Sequence, residues 1–336
     1  MTQTAWEALS NQAIAAAGVV YFLALLAHLA EWSLLRKVPV EAAVEAREPV
    51  AVGAGAPVDP PASATPDERT TERVAMSARL GLLLTVIAAG VHLVALVARG
   101  MAAEPARVPW GNMYEFTISG TFVIAALYLV TRKRFGLAWM APIVVGVVLA
   151  LLMVAVIWLY QPVGPLREAL NSYWLVIHVV SAIIATGAFT LGGIASTLFL
   201  LKERAERRGT TTGYLARVPS TAVLDRVSYR MHAFAFPVWT FAVLITGPIW
   251  AHEAWASYWS WDPKEVWAFI TWVVYAAYLH ARATAGWKGR NAAILALVGM
   301  GTLWFNFIGI NYFSTSSMHS YADAAVIAPV EVPVVD

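Results

Sequence analysis

LAWMAPIVVGVVLALLMVAVIWL, residues 137–159, carries no charged side chain from end to end. A helix needs about 20 mostly apolar residues to cross the hydrocarbon core of a bilayer, and this run is long enough. Seven more stretches share its character: 13–35, 80–98, 114–131, 174–201, 232–250, 265–281 and 291–313. Composition agrees. Hydrophobic residues make up 59% of the 336 and charged residues 13%, about half the ~25% of a soluble domain. A chain so poor in charge cannot cover a water-facing surface, so most of its exterior faces lipid. The expected fold is an all-α polytopic membrane protein of about eight transmembrane helices.

The basic residues set the orientation. Loops 36–79, 132–136, 202–231 and 282–290 hold six, three, seven and three Lys or Arg, 19 of the 23. The intervening loops hold Arg99, Arg107, Arg167 and Lys264. By the positive-inside rule the first set is cytoplasmic. Both termini and the loops near 100–113, 160–173 and 251–264 are then expected outside.

Residues 1–37 read as a first transmembrane helix and 38–78 as a flexible cytoplasmic linker. In the linker Pro, Ala, Gly and charge alternate without an apolar stripe, so little burial is available to offset the entropy of ordering. Residues 79–321 form a seven-helix membrane domain, and 322–336 an outer tail. Segment 217–231, RVPSTAVLDRVSYRM, reads equally as an interfacial amphipathic helix or an ordinary loop. The first ten residues contain no basic residue, so neither a secretory n-region nor a transit peptide is visible. The absence of cysteine excludes disulfides, CxxC pairs and thiolate metal sites. A net charge of +2 is too small to point to nucleic acid.

Chemistry concentrates before and within the seventh span. Residues 254–272, AWASYWSWDPKEVWAFITW, contain Trp255, Trp259, Trp261, Trp267 and Trp272. An interfacial aromatic belt accounts for one or two of them. It accounts poorly for Trp255, Trp259 and Trp261, which precede the span. Rings gathered at the outer surface make a platform for a flat, apolar ligand, since aromatic faces stack. Asp262-Pro263-Lys264-Glu265 reads as an N-cap, a Pro at the first helical position and a Glu closing a capping box. Asp262 and Glu265 therefore start a helix, whose N-terminal N–H groups offer a place for a carboxylate.

Depth sorts the seven histidines. His178 lies at the outer end of span five and His319 just outside span eight, both on the side of the Trp loop. His280 falls in the cytoplasmic third of span seven, and His28 in span one reaches a similar depth. His92 is in the outer half of span two, His232 near the inner end of span six, and His252 beside the Trp loop. Ionisable groups within spans are candidates for function, although a neutral imidazole bonded to a neighbouring helix is the plain alternative. Two outer histidines flanking an aromatic platform are a sharper pattern, because imidazole is an axial ligand for haem iron.

At this point the residues resemble a known family. WASYWSWDPKEVWAFITW (255–272) is similar to the tryptophan-rich WWD signature of haem-handling proteins in cytochrome c biogenesis. The chain as a whole resembles the CcsA/ResC component of the System II pathway. PWGNMYEF (109–116), LNSYWLVIH (170–178), YLHAR (278–282) and MHSY (318–321) resemble further segments of that family in the same order. The resemblance implies that His178 and His319 are the outer axial ligands of haem iron. It implies that Trp255, Trp259, Trp261, Asp262 and Trp267 form a haem-binding loop. His280 would ligate haem within the membrane, with His28 a geometric candidate for the second ligand there. It further implies a CcsB/ResB-like partner in the plasma membrane, export of haem b, and presentation of its vinyl groups to the CxxCH thiols of apocytochrome c on the outer face. The chain would then be part of a holocytochrome c synthase, with the thiols supplied by the apocytochrome. Two other classes stay open: a secondary transporter of another amphipathic solute, and a haem b electron-transfer subunit. The inverted repeats and midplane breaks usual in the first are not evident.

Overall fold

The computed structural model describes residues 1–35, 68–164, 170–284, 286–314 and 317–318. His319, Arg167, the tail 322–336 and the linker up to residue 67 lie outside the described residues. The elements are α1 (Gln3–Leu35), α2 (Glu68–Met101), α3 (Met113–Phe135), α4 (Ala141–Trp158), α5 (Tyr173–Arg207), α6 (Gly213–Arg217) and α7 (Thr221–Thr240). They continue with α8 (Gly247–Trp255), α9 (Pro263–Ala283), α10 (Arg290–Trp304) and the single turn α11 (Ile310–Phe313). A π-helical turn at Phe241–Thr246 joins α7 to α8 without a break, and another at Phe305–Gly309 joins α10 to α11.

Seven of these helices are long and apolar enough to cross a membrane: α1 to α5, the continuous α7–α8, and α10 with its π turn. The eighth expected stretch, 265–281, is the 21-residue helix α9. It falls outside the seven because Trp, Tyr, Thr and His dilute its aliphatic content. α2 begins at Glu68, inside the stretch read as linker. ERTTERVAMSA (68–78) has no Gly or Pro to stop a helix, so the helix runs on past the apolar span. α7 begins at Thr221, so most of segment 217–231 is the N-terminal part of a span helix.

Small residues bring the helices into close pairs, as membrane packing favours. In the α1–α2 pair, Ala13, Ala17, Tyr21 and Ala24 are buried. Val19, Phe22, Leu23, Leu26 and Leu29 remain exposed on α1, the face expected toward lipid. The pair is antiparallel: Ser10 Oγ donates to the Ala95 carbonyl at 2.9 Å, while His28 Nε2 lies 3.2 Å from Thr85 Oγ1. α5 and α7 pack antiparallel through Ser196 and Ser228, 2.7 Å apart. α9 and α10 do so through Thr271 and Thr302, at 3.1 Å. Glycine makes room where rings cross: a Cβ on Gly192 would sit 2.5 Å from His232, and one on Gly299 2.8 Å from Tyr275.

The loops expected to share a side share an end of the bundle. At the basic end, the Lys202 ammonium donates to the Val218 and Pro219 carbonyls at 2.6 and 3.0 Å. Arg282 grips Asp225 with both terminal nitrogens at 2.6 and 3.1 Å, and Asp225 also accepts the Gly289 N–H. At the other end, Asn11 donates to Tyr160, Glu7 accepts the Val163 N–H, and Ser172 donates to Glu253.

Candidate functional site: an aromatic-walled cavity at the second end of the bundle

An apolar cavity opens at this second end, between α3, α5, the α7–α8 helix, the start of α9 and the end of α10. It has about 210 Å³ of water-accessible space. One water needs roughly 10–15 Å³ by that measure, so the cavity admits a molecule of many heavy atoms. Five tryptophans line it: Trp110, Trp239, Trp250, Trp259 and Trp304. His178, Lys264 and Asn306 are among the few polar groups on its wall.

His178 is placed by two local features. Ser172 caps α5, its hydroxyl accepting the Trp174 N–H at 3.1 Å, which sets the helix carrying His178. On the facing helix, Pro248 has no N–H for the Leu244 carbonyl and its ring crowds that turn. The helix widens there, and the Gly247 N–H reaches back five residues to the Ala242 carbonyl. The same carbonyl takes the Thr246 hydroxyl at 3.1 Å and His178 Nδ1 at 2.9 Å. A carbonyl only accepts, so Nδ1 carries the proton and the lone pair is on Nε2. One ring nitrogen oriented by a backbone carbonyl is the arrangement of metal-ligating imidazoles. Trp250 stacks on the ring, centroids 5.8 Å apart at 12°. Gly247 leaves no slack: a Cβ there would be 3.2 Å from the imidazole.

The Trp loop surrounds the mouth unevenly. Trp259 lines the cavity, with edge contacts to Trp261 and Phe269. Trp261 is 75% exposed and has φ +59°, while Ala256 at φ +56° ends α8. Trp255 meets Trp250 edge-on at 4.8 Å, supporting the ring that stacks on His178. Trp267 packs against Phe305 at 4.3 Å, joining α9 to the second π turn.

Asp262 is buried and fully engaged. Its carboxylate accepts the Lys264 N–H at 2.8 Å, the Ser317 hydroxyl at 2.9 Å and the Met318 N–H at 2.6 Å. It therefore starts α9 and ties the residues just before His319 to the Trp loop. Glu265 accepts the N–H groups of Asp262 and Ser260 at 3.2 and 2.9 Å, completing the expected capping box. The N-terminus of α9 is thus filled by the protein's own carboxylates rather than left for a ligand.

PWGNMYEF folds round a second buried carboxylate. Asn112 Oδ1 caps α3 by accepting the Glu115 N–H at 2.9 Å. Glu115 accepts from Arg99 Nε at 3.0 Å, Arg107 Nη1 at 2.8 Å and the Gly111 N–H at 2.7 Å. These bonds close the 107–111 turn and hold Trp110 against the cavity.

Of the predicted residues, His178 and Trp259 share the cavity wall, and Trp255, Asp262 and Trp267 brace it. His28 and His280 sit elsewhere. His28 is 2% exposed, shut into the α1–α2 pair by Thr85, Gly81 and Glu31. His280 is exposed near the end of α9. His92 is buried between the edges of Tyr21 and Phe122. His232 donates from Nδ1 to the Ser228 carbonyl at 2.7 Å and packs on Tyr275 and Tyr278. Sequence reasoning missed Trp110, Trp239, Trp250 and Trp304 as wall residues, and Lys264 and Asn306 as its polar groups. The signals were present for some: Trp110 lies in PWGNMYEF, Lys264 is the one Lys or Arg of its loop, and Asn306 is an amide in the middle of an apolar span.

These features define a polytopic helical membrane protein with an oriented imidazole in an aromatic cavity at one end. Residues 110–318 match the family described as cytochrome C assembly protein, and the chain belongs to that family, among its CcsA members. The cytochrome c biogenesis protein CcsA of Synechococcus sp. (strain JA-3-3Ab) is 32% identical over 314 residues, covering 77% of this chain and 88% of the relative. That of Chlamydomonas reinhardtii is 44% identical over 161 residues, 48% of this chain and 44% of the relative. A solved structure titled Cytochrome c Heme Lyase CcmF is alike in fold, with TM-score 0.59 over 91% of this chain at 15% identity. This chain spans 46% of that protein's length. The resemblance read from the Trp-rich signature is borne out at the level of the family, as is the all-helical membrane fold.

Proposed function

We propose that this chain holds haem b as a substrate in the outer cavity and presents it for covalent attachment to apocytochrome c. The observation that carries the reading is His178. Its imidazole lines an apolar, tryptophan-walled cavity, with Nδ1 spent on a carbonyl and the lone pair on Nε2. His319 would supply the second ligand to the iron, and the Asp262 carboxylate, bonded to Ser317 and Met318, anchors the residues just before it in the chain. The lining suits the group, since aromatic walls take a flat macrocycle and few polar groups compete for its faces, and at about 210 Å³ the cavity takes part of the ring with the remainder at its mouth.

Attachment needs little acid–base help from the protein. Each CxxCH thiol adds across one vinyl group: sulfur bonds to one carbon, hydrogen ends on the other, and nothing is released. The chain's part is to hold the vinyl edge toward the incoming thiols and keep it still. His178 or His319 then yields to the histidine of CxxCH. Its work is therefore that of a holocytochrome c synthase component on the outer face of the plasma membrane. Export is shared with a CcsB/ResB-like partner. His280 is exposed on α9, so a haem ligated there takes its second ligand from outside this chain's core. His28, closed in by Thr85 and Glu31, is poorly placed to supply it.

The test is the absorption spectrum of detergent-purified protein made with its partner, beside His178→Ala and His319→Ala. Six-coordinate haem in the wild type, weakened in both variants and restored by imidazole, is the expected result. Absence of haem from the wild type despite ample supply overturns the reading and leaves a transporter of another amphipathic solute. Bound haem without attachment of apocytochrome leaves an electron-transfer subunit.

A further inference from the structure

We propose that Lys264 and Asn306 form a carboxylate-binding subsite in the cavity wall, which takes a propionate of the haem and fixes which edge of the ring faces out. This rests on the reading of the cavity as a haem site. Lys264 lines the cavity, and its Nζ has a single hydrogen-bond partner among the described residues, the Asn311 side-chain oxygen at 2.9 Å. That bond brings no compensating charge. The two carboxylates beside it in the chain are hydrogen-bonded to other groups, though Glu265 also lines the cavity and Asp262 lies close enough to act on the ammonium through its charge. Asp262 accepts from Lys264 N–H, Ser317 and Met318, and Glu265 from Ser260 and Asp262. No carboxylate of the described residues forms an ion pair with Lys264.

Asn311 is itself pinned. Its amide nitrogen donates to the Phe307 carbonyl, so its oxygen is the end that faces the ammonium. The cation is held in place by the second π turn, Phe305–Gly309, and that same turn carries Asn306. Asn306 is 7% exposed, lines the cavity, and its side-chain oxygen has no hydrogen-bond partner among the described residues. The Asn306 NH2 supplies two donors that, with a fixed ammonium, are complementary to one carboxylate, while its oxygen, itself an acceptor, takes no part in holding the anion. Burial in this setting also pushes the Lys264 ammonium down to about 8, the nearby Asp262 charge offsetting only part of the loss of water.

A fixed ammonium in an apolar wall selects a propionate-bearing ligand over a neutral one. With the carboxylate end held at Lys264, the opposite, vinyl edge is the one left for the thiols.

The experiment titrates haem b and haem dimethyl ester, whose propionates are neutral, into protein depleted of haem in detergent. Wild type, Lys264→Gln, Asn306→Leu and His178→Ala are compared. Wild type is expected to prefer haem b by about tenfold or more, the scale of a charge-assisted hydrogen bond in a site shielded from water. Lys264→Gln should erase that preference while binding the diester as the wild type does. Lys264→Arg should retain it, and Asn306→Leu should reduce it. Preference unchanged in Lys264→Gln, or equal weakening of both ligands, overturns the subsite. His178→Ala should weaken both ligands alike. If the wild type binds neither, the haem reading itself fails.

Discussion

Replacing Glu115 by Gln keeps the shape of the side chain and removes its charge. Glu115 and Arg99 are each 1% exposed, and Arg99 Nε lies 3.0 Å from the carboxylate. Arg107, with a side chain 12% exposed, approaches the other oxygen at 2.8 Å. Charge-assisted bonds contribute about 1.5–3 kcal/mol each, and removing one partner of a buried pair costs about 3–5 kcal/mol. Glutamine leaves an oxygen for one donor but turns an NH2 toward a guanidinium. Arg99 retains Glu7 at 3.5 Å, which is partly solvated, so the loss is only partly offset. Arg107 can turn to solvent. The expected cost of Glu115→Gln is therefore about 3 kcal/mol, measured by reversible unfolding in mixed detergent micelles. Arg107→Gln alone should cost under about 1 kcal/mol. The double variant should cost little more than Glu115→Gln alone, falling short of the sum of the singles by about the Arg107→Gln cost, because the two share one bond. Trp110 sits next to the turn this carboxylate closes, so protease cleavage within 102–111 should rise in parallel. A change within about 1 kcal/mol of the wild type would refute the argument that this ion cluster shapes the cavity wall.

Other outcomes follow from the same geometry. Gly192→Ala should destabilise by about 1–3 kcal/mol, since its Cβ would meet the His232 ring at 2.5 Å in a packed α5–α7 contact; thermal unfolding reads it directly. Lys202→Met should cost about 1.5–3 kcal/mol by stranding the Val218 and Pro219 carbonyls, with trypsin sensitivity at Arg217 rising alongside. Lys264 gives a pH signature. Its folded pKa, lowered to about 8, lies below the unfolded value, so between about pH 8 and 10.5 the unfolded chain binds more protons. Stability then rises with pH across that window, by roughly 1–3 kcal/mol relative to Lys264→Met measured in parallel. A flat difference between the two would remove the buried cation.

The bilayer made the fold legible. A 20-residue requirement turns apolar runs into spans, and the placement of 19 of 23 basic residues sorts their loops. Local rules also carried the Asp262–Glu265 cap. The cavity itself was less legible, because its wall is assembled from Trp110, Trp239, Trp250 and Trp304 on separate parts of the chain. No periodicity within one helix brings those rings together. Pro248 flags the first π turn by its missing N–H, yet the turn at Phe305–Gly309 contains no proline to announce it. Glu115 read as part of a motif; that it binds two guanidinium groups at once depends on loop closure between α2 and α3.

Each π turn winds one residue more than an α turn through about the same arc, so the helical halves on either side stay in phase. A residue deleted from Phe241–Thr246 would be absorbed as that turn closed to ordinary winding, with Thr221–Thr240 keeping its seat on α5 and Trp250 its place over His178. What would change is the opening at the Ala242 carbonyl, which takes the Thr246 hydroxyl and His178 Nδ1. The extra residue thus serves a single acceptor rather than the course of the rod, and it orients the imidazole without moving the helix that faces it.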